Sequence, residues 1–108
     1  MGLDVVLMRV TQQGTSQKRW QRRQLAMVID EGDVFARKFR ESDKAMLSRA
    51  DPYRDLILSP AEMDQFTEEV ESLLAGADET EAHRIHQVME LVGRCRGDPS
   101  TELHLQGD

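Results

Sequence analysis

The residues best suited to chemistry lie in the last third of the chain. Glu79, His83, His86 and Glu90 are spaced i, i+4, i+7 and i+11, which on a helix places them along one stripe. Imidazole and carboxylate groups are ordinary ligands of zinc or iron. The spacing therefore makes these four residues candidate metal ligands.

A metal site would also require ligands from a second element, for which His104 and Asp108 are the candidates. Both follow the helix, on a predicted edge strand and tail. An exposed helix flank with acids near its start accounts for the same four residues without a metal. We therefore predict no metal and no cofactor, and keep metal binding by this helix as a residual alternative.

A second group of candidate residues is basic. Lys18, Arg19, Arg22 and Arg23 surround Trp20, and cations beside an aromatic ring are typical of phosphate-binding or RNA-stacking surfaces. The acidity of the remaining chain would repel a polyanion, and the sequence has neither zinc-finger spacing nor an RNA-recognition signature. The sequence thus argues against nucleic acid. An exposed helix face is the simpler interpretation, and contact with an acidic protein surface is the alternative.

Isolated nucleophiles do not make a catalytic site in this sequence. Cys95 lies between Arg94 and Arg96, which would lower a thiol pKa, but the end of a helix opposes that effect. Ser59 lacks the flanking glycines of a nucleophile elbow. Because the sequence also has no phosphate-binding glycine loop and no dinucleotide fingerprint, we expect a protein that is not an enzyme.

Three segments predict strands. Leu3 to Val10 has apolar residues on both alternating faces, which indicates a central strand covered on both sides. Leu56 to Leu58 gives a short buried strand. Thr101 to Gln106 alternates apolar and polar residues, a pattern typical of an edge strand with one face in water.

Helices are predicted from caps, breakers and apolar spacing. Asp33 follows the break at Gly32 and begins a helix to about Ser48, and Ser59 with Glu62 forms a capping box for a helix to about Ala75. A third helix begins after Asp78 and ends before 97–99. Residues 17–29 give only a poor helical stripe and fit a strand as well over 25–29; we favour a helix.

Together these elements predict an α+β fold. A small sheet of about three strands would carry three or four helices packed on it. The chain of 108 residues is long enough for one core, so we expect residues 1–108 to form a single domain.

Charge is divided unequally along the chain. Residues 1–50 hold ten Lys and Arg against six Asp and Glu, a net of +4, whereas residues 51–108 hold four against fourteen, a net of −10. On the helix after Ser59, Asp64, Glu68 and Glu71 lie roughly opposite the apolar face. We therefore expect a partner protein with a basic surface, and as the alternative a homo-oligomer that pairs the basic half of one copy with the acidic half of another.

The sequence also indicates where the protein works. No stretch approaches the roughly 18 apolar residues of a membrane span, and the apolar run at 3–10 lacks a basic leader. The single cysteine, Cys95, excludes a disulfide within the chain, which fits a reducing compartment. We expect a cytoplasmic protein without membrane contact.

Two motifs stand out in the second half of the chain: Asp51-Pro52-Tyr53-Arg54-Asp55 at the entry to a strand and a terminal Gly107-Asp108. Similar motifs occur in a group of small uncharacterised bacterial proteins. The chain resembles this group over roughly residues 50–108 and at its Gly-Leu-Asp start. The resemblance implies no known activity. By class and size alone, small acidic α+β proteins are often immunity proteins that neutralise a toxin, so an immunity-type antagonist of a basic partner is the expectation by analogy.

Overall fold

The computed structural model describes residues 2–12, 20–51 and 53–107. Its strands and α-helices are, in chain order, β1 Leu3–Gln12, β2 Trp20–Val28, α1 Val34–Glu41, β3 Leu56–Leu58, α2 Met63–Ser72, α3 Glu79–Arg96 and β4 Thr101–Gly107. Short 3-10 helices cover Glu31–Asp33, Leu47–Arg49, Pro60–Glu62 and Leu73–Gly76. The predicted α+β class is confirmed, with four strands instead of about three.

The four strands form one antiparallel sheet in the order β2-β1-β4-β3. The central position of β1 is as predicted, but the prediction of β4 as an edge strand is wrong. His104 was counted among the polar residues of the wet face, whereas it lies between Val6 of β1 and Ile57 of β3 and is 6% exposed. The outermost strands are β2 and β3.

The helix favoured for residues 17–29 is also wrong over 20–28, which form β2; residues 17–19 lie outside the described residues. Ala26 and Val28 lie opposite Leu7 and Val5 of β1 and pack against the core. Pairing with a long, apolar β1 thus outweighs the weak helical spacing of this segment. The strand depends on a partner that local spacing does not reveal.

The helices pack on one face of the sheet. Buried residues from β1, β3 and β4 form one hydrophobic core with residues from all three helices, and its largest fully buried side chains are Phe35, Phe39, Phe66, Leu3, Leu7, Leu47, Leu58, Met63, Ile85, Leu103 and Leu105. Alternate residues point to the opposite side of the sheet, here called the far face. One row of the far face crosses all four strands through Ile57, His104, Val6 and Met27.

The break before α1 lies where the sequence predicts it. Gly32 and Asp33 both have left-handed backbone, with φ of 72° and 58°. The carboxylate of Asp30, which is 7% exposed, accepts hydrogen bonds from the amides of Phe35 and Ala36 at 2.8 and 3.0 Å. Asp30 therefore caps the start of α1, a role that the sequence assigned to Asp33.

The helix predicted to reach Ser48 ends earlier, at Glu41. Ser42 has extended backbone, with ψ of 142°, and its hydroxyl accepts a hydrogen bond from the amide of Lys44 at 3.0 Å. Met46 and Leu47 are still buried, but they enter the core from a separate 3-10 segment, Leu47–Arg49, and its N-cap Met46. A short turn at serine replaces the continuous helix.

The capping box predicted at Ser59 is confirmed, and a second capping box lies at Asp78, where the start of α3 was predicted. The amide of Ser59 donates to the Glu62 carboxylate at 3.0 Å, and Pro60 opens the short 3-10 helix that leads into α2. Asp78 and Glu81 exchange the equivalent bonds at 3.0 and 2.8 Å at the start of α3. Both helices begin where the local sequence predicts. A capping box depends only on two residues that are three positions apart, so it can be recognised without knowledge of the tertiary fold.

Candidate functional site

An acidic stripe, defined here as Asp64, Glu68 and Glu71, runs along the outer side of α2. All three residues are exposed, and their spacing of i, i+4 and i+7 keeps them on one helix face. Asp64 forms an ion pair with Arg96 at the end of α3, with an N–O distance of 2.8 Å. Within the described residues Glu68 and Glu71 lie in no ion pair, so their charges face solvent.

The neighbouring acid Glu69 belongs to the interior and not to the acidic stripe. It is 7% exposed, and its Oε1 accepts the amides of Met46 and Leu47 at 2.8 and 3.0 Å. The Gln65 side chain donates to its other oxygen at 2.8 Å. Glu68 and Glu69 therefore point to different sides of α2, and Glu69 anchors the 3-10 segment before β3.

The candidate metal ligands on α3 are not brought together with a second element. Glu79, His83, His86 and Glu90 are all exposed. His104 lies in the far-face row, on the other side of the sheet, and Asp108 is outside the described residues. A search of the described residues finds no cluster of three His, Cys, Asp or Glu side chains that could hold a metal ion.

Half of the predicted basic patch can be placed. Lys18 and Arg19 lie outside the described residues, whereas Arg22 and Arg23 are neighbours on β2. Arg22 donates from Nε to Glu102 at 2.8 Å. Arg23 is exposed and, in the part of the chain that is described, has no ion pair. Arg22 and Arg23 are therefore part of an outer strand and not of a helix.

Arg22, Glu102 and His104 form a connected polar group on the far face, which the sequence did not indicate as a unit. His104 Nε2 lies 3.1 Å from the Glu102 oxygen that also receives Arg22. Burial acts to raise the pKa of Glu102, but hydrogen bonds from Arg22 and His104 outweigh it, so the pKa of this carboxyl lies below its usual range. The group holds a charged carboxylate beside a buried imidazole.

Cys95 and Ser59 have structural surroundings. Cys95 is fully buried in the core, and burial raises the pKa of its thiol. A raised thiol pKa reduces the thiolate fraction, which is the nucleophilic form. Ser59 donates from its hydroxyl to Glu62 at 3.1 Å within the capping box. Both environments explain these residues without a reaction.

Ion pairs within the chain cross the boundary between its basic and acidic halves. Within the described residues, five pairs join a cation from residues 1–50 to an acid from residues 51–108: Arg9–Asp98, Arg22–Glu102, Arg37–Glu81, Lys38–Glu81 and Arg49–Glu62. Much of the basic charge of the first half is therefore already matched internally. The acidic excess that faces solvent lies mainly on α2, because α2 has four acids and no cation whereas α3 has three acids and three arginines.

Comparisons with protein-family models, with curated proteins and with solved structures give no match. Within the described residues, no helix has the length and apolar character that crossing a membrane requires.

Proposed function

We propose that this protein is a non-enzymatic binding protein whose acidic stripe docks on the basic surface of a partner protein. The observation that carries the proposal is the exposure of Glu68 and Glu71 on one face of α2, outside any ion pair with a described residue. Unmatched like charges on one face destabilise a fold slightly and speed the approach of an oppositely charged partner.

In its most specific form, the proposal is an immunity-type antagonist that works in the cytoplasm and covers the surface of a basic toxin such as a nuclease. Its small size, its α+β class and its net charge of −6 support this by analogy. A nuclease must attract a polyanion, so its substrate groove is basic. An acidic helix face has the charge that would occupy such a groove.

Capture experiments at low salt test the acidic stripe. The full chain is immobilised, and captured proteins are identified by mass spectrometry for the wild type and for a Glu68→Gln, Glu71→Gln variant. A Glu79→Gln, Glu90→Gln variant removes the same charge from α3 and is the matched control. We expect specific basic proteins to be retained by the wild type and the control and to be lost from the α2 variant.

Two results would count against this function. One is an unchanged set of captured proteins after the α2 substitutions. The other is an equal loss in both variants, because that would mean that net charge and not the acidic stripe attracts the partner. Capture should also fall as salt rises above about 0.15 M, where screening shortens the range of the field.

Self-association is the second candidate function, in which the basic half of one copy meets the acidic half of another. The exposed Arg23 on the outer strand β2 favours it, because this cation lies in no ion pair within the described residues. Light scattering at low and high salt tests the idea. A head-to-tail assembly held by charge should dissociate at high salt, whereas a monomer at every concentration and salt would exclude it.

A further inference from the structure

The outer edge of β2 lies beside a groove. β2 spans nine residues and pairs with β1 on one side only. The groove runs between this edge and α3, has a volume of about 390 Å³, and is lined by Met27, Ile29, Glu31, Arg84, Glu90 and Arg94 among others. An edge strand offers a row of amide and carbonyl groups to which another strand can bind.

Protection of this edge is uneven along the strand. Arg22 and Arg23 occupy its first half, and charged side chains on an edge discourage pairing. A register shift opposite Leu7 and Met8 separates them from a second half that carries no charge, residues 25–28. Met27 is 39% exposed there, and Ile29 just beyond it is 58% exposed. The uncharged second half is the part open to a partner strand.

We propose that this edge binds β2 of a second copy, in antiparallel orientation about a two-fold axis that places Met27 opposite Met27 of the other copy. The two sheets would join into one of eight strands, with four from each copy. This proposal is independent of the acidic stripe. It names a surface for self-association that differs from pairing of the basic and acidic halves.

Charge complementarity supports a second copy as the occupant. Arg23 lies four residues before Met27, about 13 Å at roughly 3.3 Å per residue, and Glu31 lies four residues after Met27, just beyond the strand. The two-fold axis therefore brings Arg23 of one copy close to Glu31 of the other, and does so twice. Arg23 lies opposite Arg9 on the helix-bearing side, and Glu31 contacts Arg84 of α3 on that same side.

The groove itself is electrically balanced. Its lining includes two acids, Glu31 and Glu90, and two cations, Arg84 and Arg94, so these four charges sum to zero. A strongly acidic or strongly basic peptide gains nothing from such a lining. In a symmetric dimer, α3 of each copy contributes one exposed acid, Glu90, and one exposed cation, Arg94. A surface that carries both signs can complement an identical surface.

Sedimentation velocity of the full chain from about 5 to about 200 µM tests the proposal by mass action. We expect a dimer that persists at about 0.5 M salt, because strand hydrogen bonds and apolar contacts are not screened. A Met27→Lys variant should weaken dimerisation at least about tenfold, since the two lysines would lie beside each other across the axis.

Ile57→Lys is the matched control, because Ile57 is 45% exposed on the same far face but lies on β3 at the opposite edge. It should leave the dimer unchanged, and circular dichroism checks that both variants fold. Hydrogen exchange of amides 26–29 should slow as concentration rises. A monomer at about 200 µM overturns the proposal. A dimer that is lost in the Ile57→Lys variant but kept in the Met27→Lys variant also overturns the proposal. That result would mean that the far faces of the two copies pack together.

Discussion

At the scale of single residues, Asp30 shows how one buried carboxylate can join three elements. It accepts the amides of Leu3, Phe35 and Ala36 at 2.9, 2.8 and 3.0 Å, and so connects β1 and α1 at the end of β2. An Asp30→Asn substitution replaces an acceptor oxygen with a donor facing these amides. We expect the free energy of unfolding to fall by about 2 to 3 kcal/mol in urea denaturation.

Asp43→Asn provides the control for Asp30, because Asp43 is exposed. It should change the free energy of unfolding by less than about 0.5 kcal/mol. Equal stability of the two variants would mean that the Asp30 hydrogen bonds add nothing to the fold.

Glu102 gives a pH dependence whose sign follows from its lowered pKa. A carboxyl with a lower pKa in the folded state stabilises the fold above its unfolded value, 4.5, and loses that contribution as pH falls through the folded pKa. The wild type should therefore exceed Glu102→Gln in free energy of unfolding at pH 7. The difference should shrink below about pH 4.5 in urea titrations. A difference that is constant from pH 7 to about pH 3 would contradict it.

The buried acids mark a limit of sequence analysis. Asp30 bonds to Leu3, 27 positions away, and Glu69 bonds to Met46 and Leu47, 23 and 22 positions away. Spacing along one helix or strand cannot reveal such partners. The exposed acids of the acidic stripe were predictable, because their placement depends on helical period alone.

At the scale of elements, local signals succeeded and pairing between distant segments did not. The capping boxes at Ser59 and Asp78 fix both helix starts within four consecutive residues. β2 instead forms because β1 is available, and β4 becomes an inner strand because β3 covers its second side. A strand's neighbours are set by the whole topology, so the strand count and the edge assignment were missed. The end of α1 was missed as well, because a turn at Ser42 stops the helix at Glu41.

Two glycines of different backbone conformation test how the turn before α1 and the interior of α3 contribute to stability. Gly32 has a φ of 72°, while Gly93 lies inside α3, and an added Cβ would meet no atom within 4 Å at either position. Gly32→Ala should therefore lower the free energy of unfolding by about 1 kcal/mol through backbone strain alone. Gly93→Ala should raise it by up to about 1 kcal/mol, because alanine favours a helix.

The two glycine variants are each other's control, because each adds one methyl group. Their free energies of unfolding are measured by thermal and urea denaturation. Stabilisation by Gly32→Ala would mean that the turn before α1 does not require left-handed backbone.

At the scale of the whole molecule, the division of charge is mainly an internal arrangement. Among the described residues, the five ion pairs from cations of the first half to acids of the second half show that the basic first part of the chain folds against acids of the second part. Most of these pairs are partly exposed, so each contributes little to stability by itself. Their combined effect is to leave acidic charge in excess on the surface, concentrated on α2, which has four acids and no cation.

This arrangement separates the acidic stripe from the stability of the fold. Glu68→Gln with Glu71→Gln changes the net charge from −6 to −4 and breaks no ion pair with a described residue. We expect the free energy of unfolding to stay within about 0.5 kcal/mol or to rise, because self-repulsion decreases. Arg96→Gln, which removes the partner of Asp64, is the comparison. A decrease of more than about 1 kcal/mol in the free energy of unfolding of the Glu68, Glu71 variant would show that these acids stabilise the fold. A partner protein would then not be needed to explain why they are exposed.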